Sequence, residues 1–198
     1  MPTRDQSRPS PPPRDGALSP GAALIAVGGA LALSGMISRR YSPDPSHPEI
    51  HRWYRSLDVP SWKPPDPVFA GGWPVLLGVM AGGAYRLLRR PRSPERDQAV
   101  ALAALTLGLV TAYNKVFFGE RSLTGATAEG ALVTAAGAAF VARAASVDGL
   151  AAASGVPLTL WSAFGDALTE DLRRRNPDRD GRDPPAAERP GDLRRGSR

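Results

Sequence analysis

The chain contains no cysteine and only two histidines among its 198 residues. Without cysteine, disulfides and thiolate metal sites are excluded. His47 and His51 lie in one Pro-rich stretch without a Cys partner, so we predict no metal site. A nucleophile motif such as G-x-S-x-G is also lacking. We therefore predict no catalytic residues, and a metabolic enzyme is not the expected class.

Both ends of the chain have few large apolar side chains. Residues 1–16 read MPTRDQSRPSPPPRDG, and residues 173–198 are mainly Arg, Asp, Pro and Gly. Such segments bury too little surface to offset chain entropy, so we predict a disordered tail at each end. The net charge of +6 comes almost entirely from Arg, but Asp and Glu alternate with Arg in the tails. We therefore predict solvated tails and no nucleic-acid partner.

Between the tails, five apolar segments are long enough for transmembrane helices, which need about 20 residues to cross a core of about 30 Å. They are residues 17–38, 67–88, 98–118, 124–147 and 149–168. The last two contain internal charges, whereas the first lacks the polar face of a soluble helix and has no clear signal-cleavage site. We predict an all-α integral membrane protein, a bundle of five transmembrane helices over residues 17–172 that contacts membrane lipids.

Small residues recur in every apolar segment and include a G-x-x-x-G formed by Gly78 and Gly82. In lipid, small residues allow helix backbones to approach closely. Packing within one bundle is the favoured interpretation, and a homodimer seam is the alternative.

The distribution of Lys and Arg near the helix ends modestly favours a cytoplasmic C-terminus. The Arg-rich second loop favours the opposite orientation.

The loop between the first two segments concentrates aromatics and prolines in the sequence WYRSLDVPSWKPPDPVF, residues 53–69. Trp and Tyr favour the membrane interface, and proline reduces the entropy lost when a loop becomes ordered. Such a loop can form a rigid lid over the mouth of the bundle. It can equally form an aromatic belt without a ligand, and the residues alone do not separate these two interpretations.

This loop and the segment after it resemble the TspO/MBR family, also called translocator protein or tryptophan-rich sensory protein. The residues in register are Trp53, Tyr54, Leu57, Pro60, Trp62, Pro64, Pro65, Trp73, Leu76 and Met80. Later matches are Phe117, Phe118, Gly119, Arg121, Glu129, Pro157, Trp161, Ala163 and Phe164. The resemblance covers about residues 17–172 and implies a five-helix membrane bundle in a bacterial cell membrane.

The resemblance also implies a tetrapyrrole ligand, protoporphyrin or haem, with no cofactor required. The expected lining is Trp53, Trp62, Phe69, Ala70, Trp73, Tyr113, Trp161, Gly165 and Leu168. Each aromatic in that set has a second interpretation as bundle packing. Gly125 stands where many members have a pocket Trp, so the pocket is expected to differ from theirs.

Glu129 is the main charge inside a predicted span. An intramembrane carboxylate is costly and is a candidate functional group. Glu129 also lies near the start of its segment, where it can pair with Arg121 or Lys115, and this interpretation is slightly favoured. We expect Asp166 to reach the far interface.

Four functions remain open from the sequence. The favoured one is a tetrapyrrole-binding sensor or regulator. The alternatives are a transporter of porphyrins or lipidic molecules, a light- or oxygen-dependent porphyrin-degrading enzyme, and a structural membrane dimer without a ligand. All of them use the same aromatic residues.

Overall fold

A computed structural model describes residues 15–182, and all regular structure in that range is helical. The α-helices are α1 (Pro20–Arg39), α2 (Pro48–Arg55), α3 (Asp66–Leu88), α4 (Pro94–Asn114), α5 (Leu123–Ala145) and α6 (Gly149–Arg175). A π-helical turn, Lys115–Gly119, extends α4, and a 3-10 turn, Pro177–Arg179, follows α6. The prediction of an all-α chain is confirmed for this range.

Most of the long helices begin where the local sequence predicts a helix start. The N-caps Ser19, Ser93, Ser122 and Asp148 each accept hydrogen bonds from backbone N–H groups of the first turn. These bonds satisfy donors that a helix end leaves without a partner. Pro20, Pro48 and Pro94 occupy the first helical position, where a missing N–H costs nothing.

The long helices form a compact bundle in which α6 packs between α3 and α5, and α4 packs between α5 and α3. Helix α1 lies against α3 and α4. Glycines bring some of these helices close together: a Cβ on Gly137 would lie 2.7 Å from the Thr159 Oγ1 atom. By contrast, a Cβ on Gly78 or Gly82 would meet no described atom within 4 Å, so this pair does not pack inside the bundle. A homodimer through that face stays a prediction.

A buried carboxylate fixes α3 against the start of α6. Asp148 accepts hydrogen bonds from Arg86 Nη2 at 3.0 Å, Arg90 Nη2 at 2.7 Å and the Ala151 N–H group at 3.1 Å. Burial by itself raises the pKa of Asp148, but these hydrogen bonds outweigh it and hold the pKa well below its usual range. The clamp therefore stays ionised at neutral pH and sets the relative position of α3 and α6.

Four helical segments are long and apolar enough to cross a membrane: α1, α3, α4 with its π-helical turn, and α5. They present large apolar side chains outward, such as Ile25, Val75, Leu105 and Leu132. Helix α6 has 27 residues but is less apolar, because it contains Ser, Thr, Gly, Pro157 and Asp166. The structure thus supports four spans, and the fifth stays a prediction.

The structure differs from the predicted boundaries most clearly in the first loop and after residue 168, and α4 also begins at Pro94 instead of residue 98. The first loop contains the short helix α2. At the other end, α6 continues to Arg175, and the chain stays hydrogen-bonded to the bundle as far as Gly181, where a disordered tail was predicted from residue 173. The remaining parts of both predicted tails, residues 1–14 and 183–198, lie outside the described residues.

Candidate functional site: two aromatic clusters

The aromatic residues of the predicted site separate into two groups. One group, here the α2 cluster, consists of Trp53, Tyr54, Tyr113, Phe117 and Phe118. The other, the α3–α6 cluster, consists of Trp62, Phe69, Trp73, Trp161 and Phe164. The ring contacts therefore divide the predicted lining into two groups, and Phe69 connects them because it also packs against the hydrophobic core around Trp53.

The α2 cluster is closely packed around Trp53, which is fully buried. Its ring contacts the Phe117 ring edge-on with centroids 5.6 Å apart, and Phe117 stacks on Tyr113 at the same distance. The polar atoms are paired: Trp53 Nε1 donates to the Arg179 carbonyl at 3.2 Å, and the Tyr113 hydroxyl bonds to Thr169 Oγ1 at 2.6 Å. The geometry is that of a small hydrophobic core.

The π-helical turn at the end of α4 shapes this cluster. It places the rings of Phe117 and Phe118 side by side, with centroids 4.7 Å apart. Gly119 closes the turn beside Tyr41, whose Cδ1 atom would be 2.7 Å from an added Cβ. A side chain at position 119 would therefore displace Tyr41, which gives a physical reason for glycine after the two phenylalanines.

The α3–α6 cluster is an interlock between two helices. Trp161 of α6 lies over Gly72, where an added Cβ would be 3.2 Å from the ring atom Cζ2. In turn, Trp73 of α3 lies over Gly165, where an added Cβ would be 3.7 Å from the ring atom Cζ2. Phe69 connects the two tryptophans, with centroid distances of 6.3 Å to Trp73 and 5.6 Å to Trp161. Each helix thus supplies a glycine that receives the other helix's indole.

This cluster continues to the bundle surface through Phe164 and Trp62. Phe164 contacts Trp161 at 5.4 Å and Trp62 at 5.6 Å between ring centroids. Trp62 remains 44% exposed, and its Nε1 donates to Asp171 Oδ2 at 3.0 Å. The five rings therefore form a continuous wall that runs from the α3–α6 interface to the first loop.

An open apolar groove of about 330 Å³ lies along this wall. Its lining is Leu76, Pro157, Leu160, Trp161 and Phe164. The volume lies within the range of about 300–1,000 Å³ that is typical of small-molecule sites. Leu160 is 66% exposed, and Trp161 Nε1 has no hydrogen-bond partner among the described residues. The groove therefore offers an apolar face, and the Trp161 N–H group is buried behind that face.

Two cations lie where the wall meets the first loop. Lys63 pairs with Asp66 and stands 5.8 Å from the centroid of the Tyr54 ring. Burial lowers the pKa of Lys63, but the partners Asp66 and Tyr54 outweigh it and raise the pKa overall, so Lys63 stays protonated. Arg175 donates to Asp171 Oδ1 at 2.9 Å, and this bond lowers the pKa of Asp171. The rim thus carries two ion pairs, Lys63 with Asp66 and Arg175 with Asp171, beside an apolar wall.

The three predicted lining residues that are not aromatic, Ala70, Gly165 and Leu168, are divided between the two clusters and the surface. Ala70 is exposed on α3. Gly165 is buried beneath Trp73, and Leu168 is buried next to Trp53 in the α2 cluster. Gly125 faces Val116 Cγ1, which would be 2.9 Å from an added Cβ, so Val116 occupies the space where a larger side chain would lie.

Glu129 and Asp166 are carboxylates on helices α5 and α6, and the expectation that Asp166 reaches the far interface is wrong. Asp166 packs on Gly130, where an added Cβ would be 2.6 Å from Oδ1, so it lies within the α5–α6 interface instead of extending to the far interface. Glu129 Oε2 and Asp166 Oδ1 have no hydrogen-bond partner among the described residues. Lys115 pairs with Glu120 at 3.2 Å.

The two histidines belong to the first loop, where His47 precedes helix α2 and His51 is part of it. His51 Nδ1 is 2.8 Å from the Pro43 carbonyl oxygen, and the ring borders an open groove of about 500 Å³ with Arg52 and Arg55. Within residues 15–182 no group of three or more His, Asp or Glu side chains is arranged to hold a metal ion.

Sequence reasoning missed the residues that follow α6. Asn176 and Asp180 both form hydrogen bonds to residues that are distant in the sequence. Within α6, the hydrogen bond between Thr169 and the Tyr113 hydroxyl was also missed. One signal was present: Asn176 precedes Pro177, and an Asn–Pro pair after a helical pattern is typical of a helix end.

Comparisons with known proteins agree with this architecture. A family model described as TspO/MBR family matches residues 22–174. The human protein "Translocator protein" is 34% identical over 132 residues, which cover 66% of this chain and 78% of the relative. "Protein CrtK" of Rhodobacter capsulatus is 30% identical over 151 residues, or 75% of this chain and 89% of the relative. The Bos taurus "Translocator protein" is 31% identical over 147 residues, or 72% and 85%. The resemblance found in the first loop is confirmed, and the chain is an integral membrane protein that belongs to the TspO/MBR family.

Proposed function

We propose that this protein binds a tetrapyrrole at the α3–α6 cluster and acts as a membrane sensor or regulator. The observation that carries the proposal is the continuous wall of five rings beside an apolar groove. The tetrapyrrole is the ligand, protoporphyrin or haem, and no resident cofactor is proposed. We further propose a bacterial cell membrane as the location, since one relative is a bacterial protein.

The shape and polarity of the groove suit a flat, apolar macrocycle. Aromatic rings interact favourably with other π-systems in offset or edge-on contacts. A porphyrin that enters from the bilayer can lie along Trp161 and Phe164 with its pyrrole ring system in the groove. Its carboxylates can then reach the charged rim, where Lys63 and Arg175 offer charge-assisted hydrogen bonds.

Titration of the purified protein with protoporphyrin tests this proposal. We expect saturable quenching of Trp fluorescence that exceeds quenching in detergent alone, because three of the four tryptophans belong to the α3–α6 cluster. Leu160→Ala, in the groove, should weaken binding several-fold. The control is Leu132→Ala, which truncates another exposed leucine, on α5 and outside the groove lining. Quenching no greater than in detergent would contradict the proposal.

A transporter of porphyrins is the second candidate. The groove opens at the bundle surface, and the human and bovine relatives are named translocator proteins. Protoporphyrin uptake into liposomes should then be saturable and lost with Trp73→Ala. Binding without any protein-dependent flux would favour the sensor over the transporter.

We also propose that the C-terminus lies in the cytoplasm. The chain has no native cysteine, so a single Asp178→Cys variant gives one labelling site at an exposed position. In intact cells, a membrane-impermeant maleimide should leave this cysteine unlabelled, and it should react after the cells are opened. Labelling in intact cells would reverse the orientation.

A further inference from the structure

We propose that residues 176–182, here the C-terminal strap, position the first loop for tetrapyrrole binding, with Asn176 as the central positioning residue. The inference rests on the proposed tetrapyrrole site, since it concerns how Trp62 is held at the rim of the groove. It assigns a role to a segment whose composition alone suggests a solvated tail.

Asn176 joins the end of α6 to the first loop through a reciprocal pair of hydrogen bonds. Asp58 donates its N–H group to Asn176 Oδ1 at 2.8 Å, and Asn176 Nδ2 donates to the Asp58 carbonyl at 2.9 Å. Nδ2 also donates to the Leu172 carbonyl at 2.8 Å, and the residue is only 6% exposed. This pairing needs a side chain with both a donor and an acceptor, which an amide supplies.

The strap next passes over Trp53. The Arg179 carbonyl accepts a hydrogen bond from Trp53 Nε1 at 3.2 Å. Because Trp53 is fully buried, its indole N–H would be left without a partner if the strap moved away. The strap therefore supplies a polar partner that α2 requires in its packed position.

Asp180 anchors the strap on the N-terminus of α5. Its carboxylate accepts hydrogen bonds from the Leu123 N–H group at 2.7 Å and the Thr124 N–H group at 3.2 Å. Gly181 donates its N–H group to the Arg121 carbonyl at 2.8 Å. Burial raises the pKa of Asp180, but these hydrogen bonds outweigh it and lower the pKa overall, as is typical of a carboxylate at a helix N-terminus.

These contacts connect the first loop to the two helices that end beside it. Along α6, Asp58 and Trp62 of the loop are held by Asn176 and Asp171, respectively. Asn176 holds the backbone at Asp58, four residues before Trp62, so it limits where the Trp62 ring can lie. Loss of the Asn176 bonds should free residues 56–63 from α6 and move Trp62 away from Phe164.

Hydrogen–deuterium exchange of the full chain and protoporphyrin titration test the strap together. In Asn176→Ala, we expect faster exchange in residues 56–63 and a dissociation constant for protoporphyrin raised by about tenfold, since both hydrogen bonds that hold Asp58 are lost. Asp178→Ala is the matched control, because Asp178 is exposed in the same turn and makes no side-chain hydrogen bond to another residue of the range 15–182. It should leave both measurements unchanged.

Asn176→Asp tests whether the first loop needs both the donor and the acceptor of the Asn176 side chain. It keeps the acceptor for the Asp58 N–H group and loses the donor, so exchange in residues 56–63 should lie between wild type and Asn176→Ala. This variant also serves if Asn176→Ala does not fold. Unchanged exchange in residues 56–63 of Asn176→Ala would contradict the claim that the strap holds the first loop. Faster exchange with unchanged binding would overturn its role in binding. If wild type does not bind protoporphyrin, the proposed function fails, and loop exchange alone then decides whether the strap holds the loop.

Discussion

The α2 cluster and the α3–α6 cluster contain the same kinds of residue but differ in how completely they are packed. Trp53 is buried on all sides and its indole N–H is paired. Trp161 borders a groove and its indole N–H has no described partner. A buried polar group without a partner is costly unless something else satisfies it. Exposure differs in the same direction, because Trp62 and Leu160 lie at the surface whereas Trp53 is fully buried. We therefore expect the α2 cluster to stabilise the bundle and the α3–α6 cluster to be the one that a ligand can reach.

The largest expected effect is on stability at the α2 cluster. Trp53→Ala should lower the free energy of unfolding by about 3–5 kcal/mol, because truncation of a buried aromatic leaves a large cavity. Thermal unfolding in detergent, followed by circular dichroism, measures the change. A loss below about 1 kcal/mol would show that the α2 cluster is not a core.

A smaller effect, on binding instead of stability, is expected at Trp62. Trp62→Ala removes one ring from the wall, and a single aromatic contact contributes about 0.5–1.5 kcal/mol, so the dissociation constant for protoporphyrin should rise about two- to tenfold. The same sample should unfold at nearly the wild-type temperature, since Trp62 is half-exposed. A large loss of stability with unchanged binding would reverse the assignment of the two clusters.

The interlock of α3 and α6 gives a matched pair of glycine variants. Gly72→Ala places a methyl group 3.2 Å from Trp161 Cζ2, which is tighter than an ordinary contact, whereas Gly165→Ala places one 3.7 Å from Trp73 Cζ2. Gly72→Ala should shift Trp161 and change protoporphyrin affinity by a few-fold, and Gly165→Ala should change it less. The Trp emission maximum gives an independent measure of the shift. Equal effects would show that the indoles adjust freely.

The smaller of the two stability effects expected in the α2 cluster is at Tyr113. Tyr113→Phe removes the hydroxyl that bonds to Thr169 and should lower the free energy of unfolding by about 1 kcal/mol. Protoporphyrin affinity should stay the same, because Tyr113 lies in the α2 cluster. Weaker binding without a change in unfolding would place Tyr113 in the ligand site.

Much of the fold was predictable because it depends on local sequence. Apolar length located the helices, and the first-loop motif identified the family. The division of the aromatics was not predictable, because it depends on which indole meets a glycine of another helix, as Trp73 meets Gly165. The strap was missed for a similar reason. Asn176 and Asp180 lie in a polar segment, and their partners Asp58 and Leu123 are far away in the sequence.

The most direct test of the central claim compares the same conservative substitution in each cluster. Protoporphyrin is titrated into wild type, Trp161→Phe and Trp53→Phe, and the dissociation constants are compared. Trp161→Phe should weaken binding several-fold, since one ring contact is worth about 1 kcal/mol where the ligand touches it. Trp53→Phe should change binding by less than about twofold, because Asn176 and Asp180 still hold the strap when the Trp53 hydrogen bond is lost. Weaker binding in Trp53→Phe together with unchanged binding in Trp161→Phe would contradict a ligand site at the α3–α6 cluster.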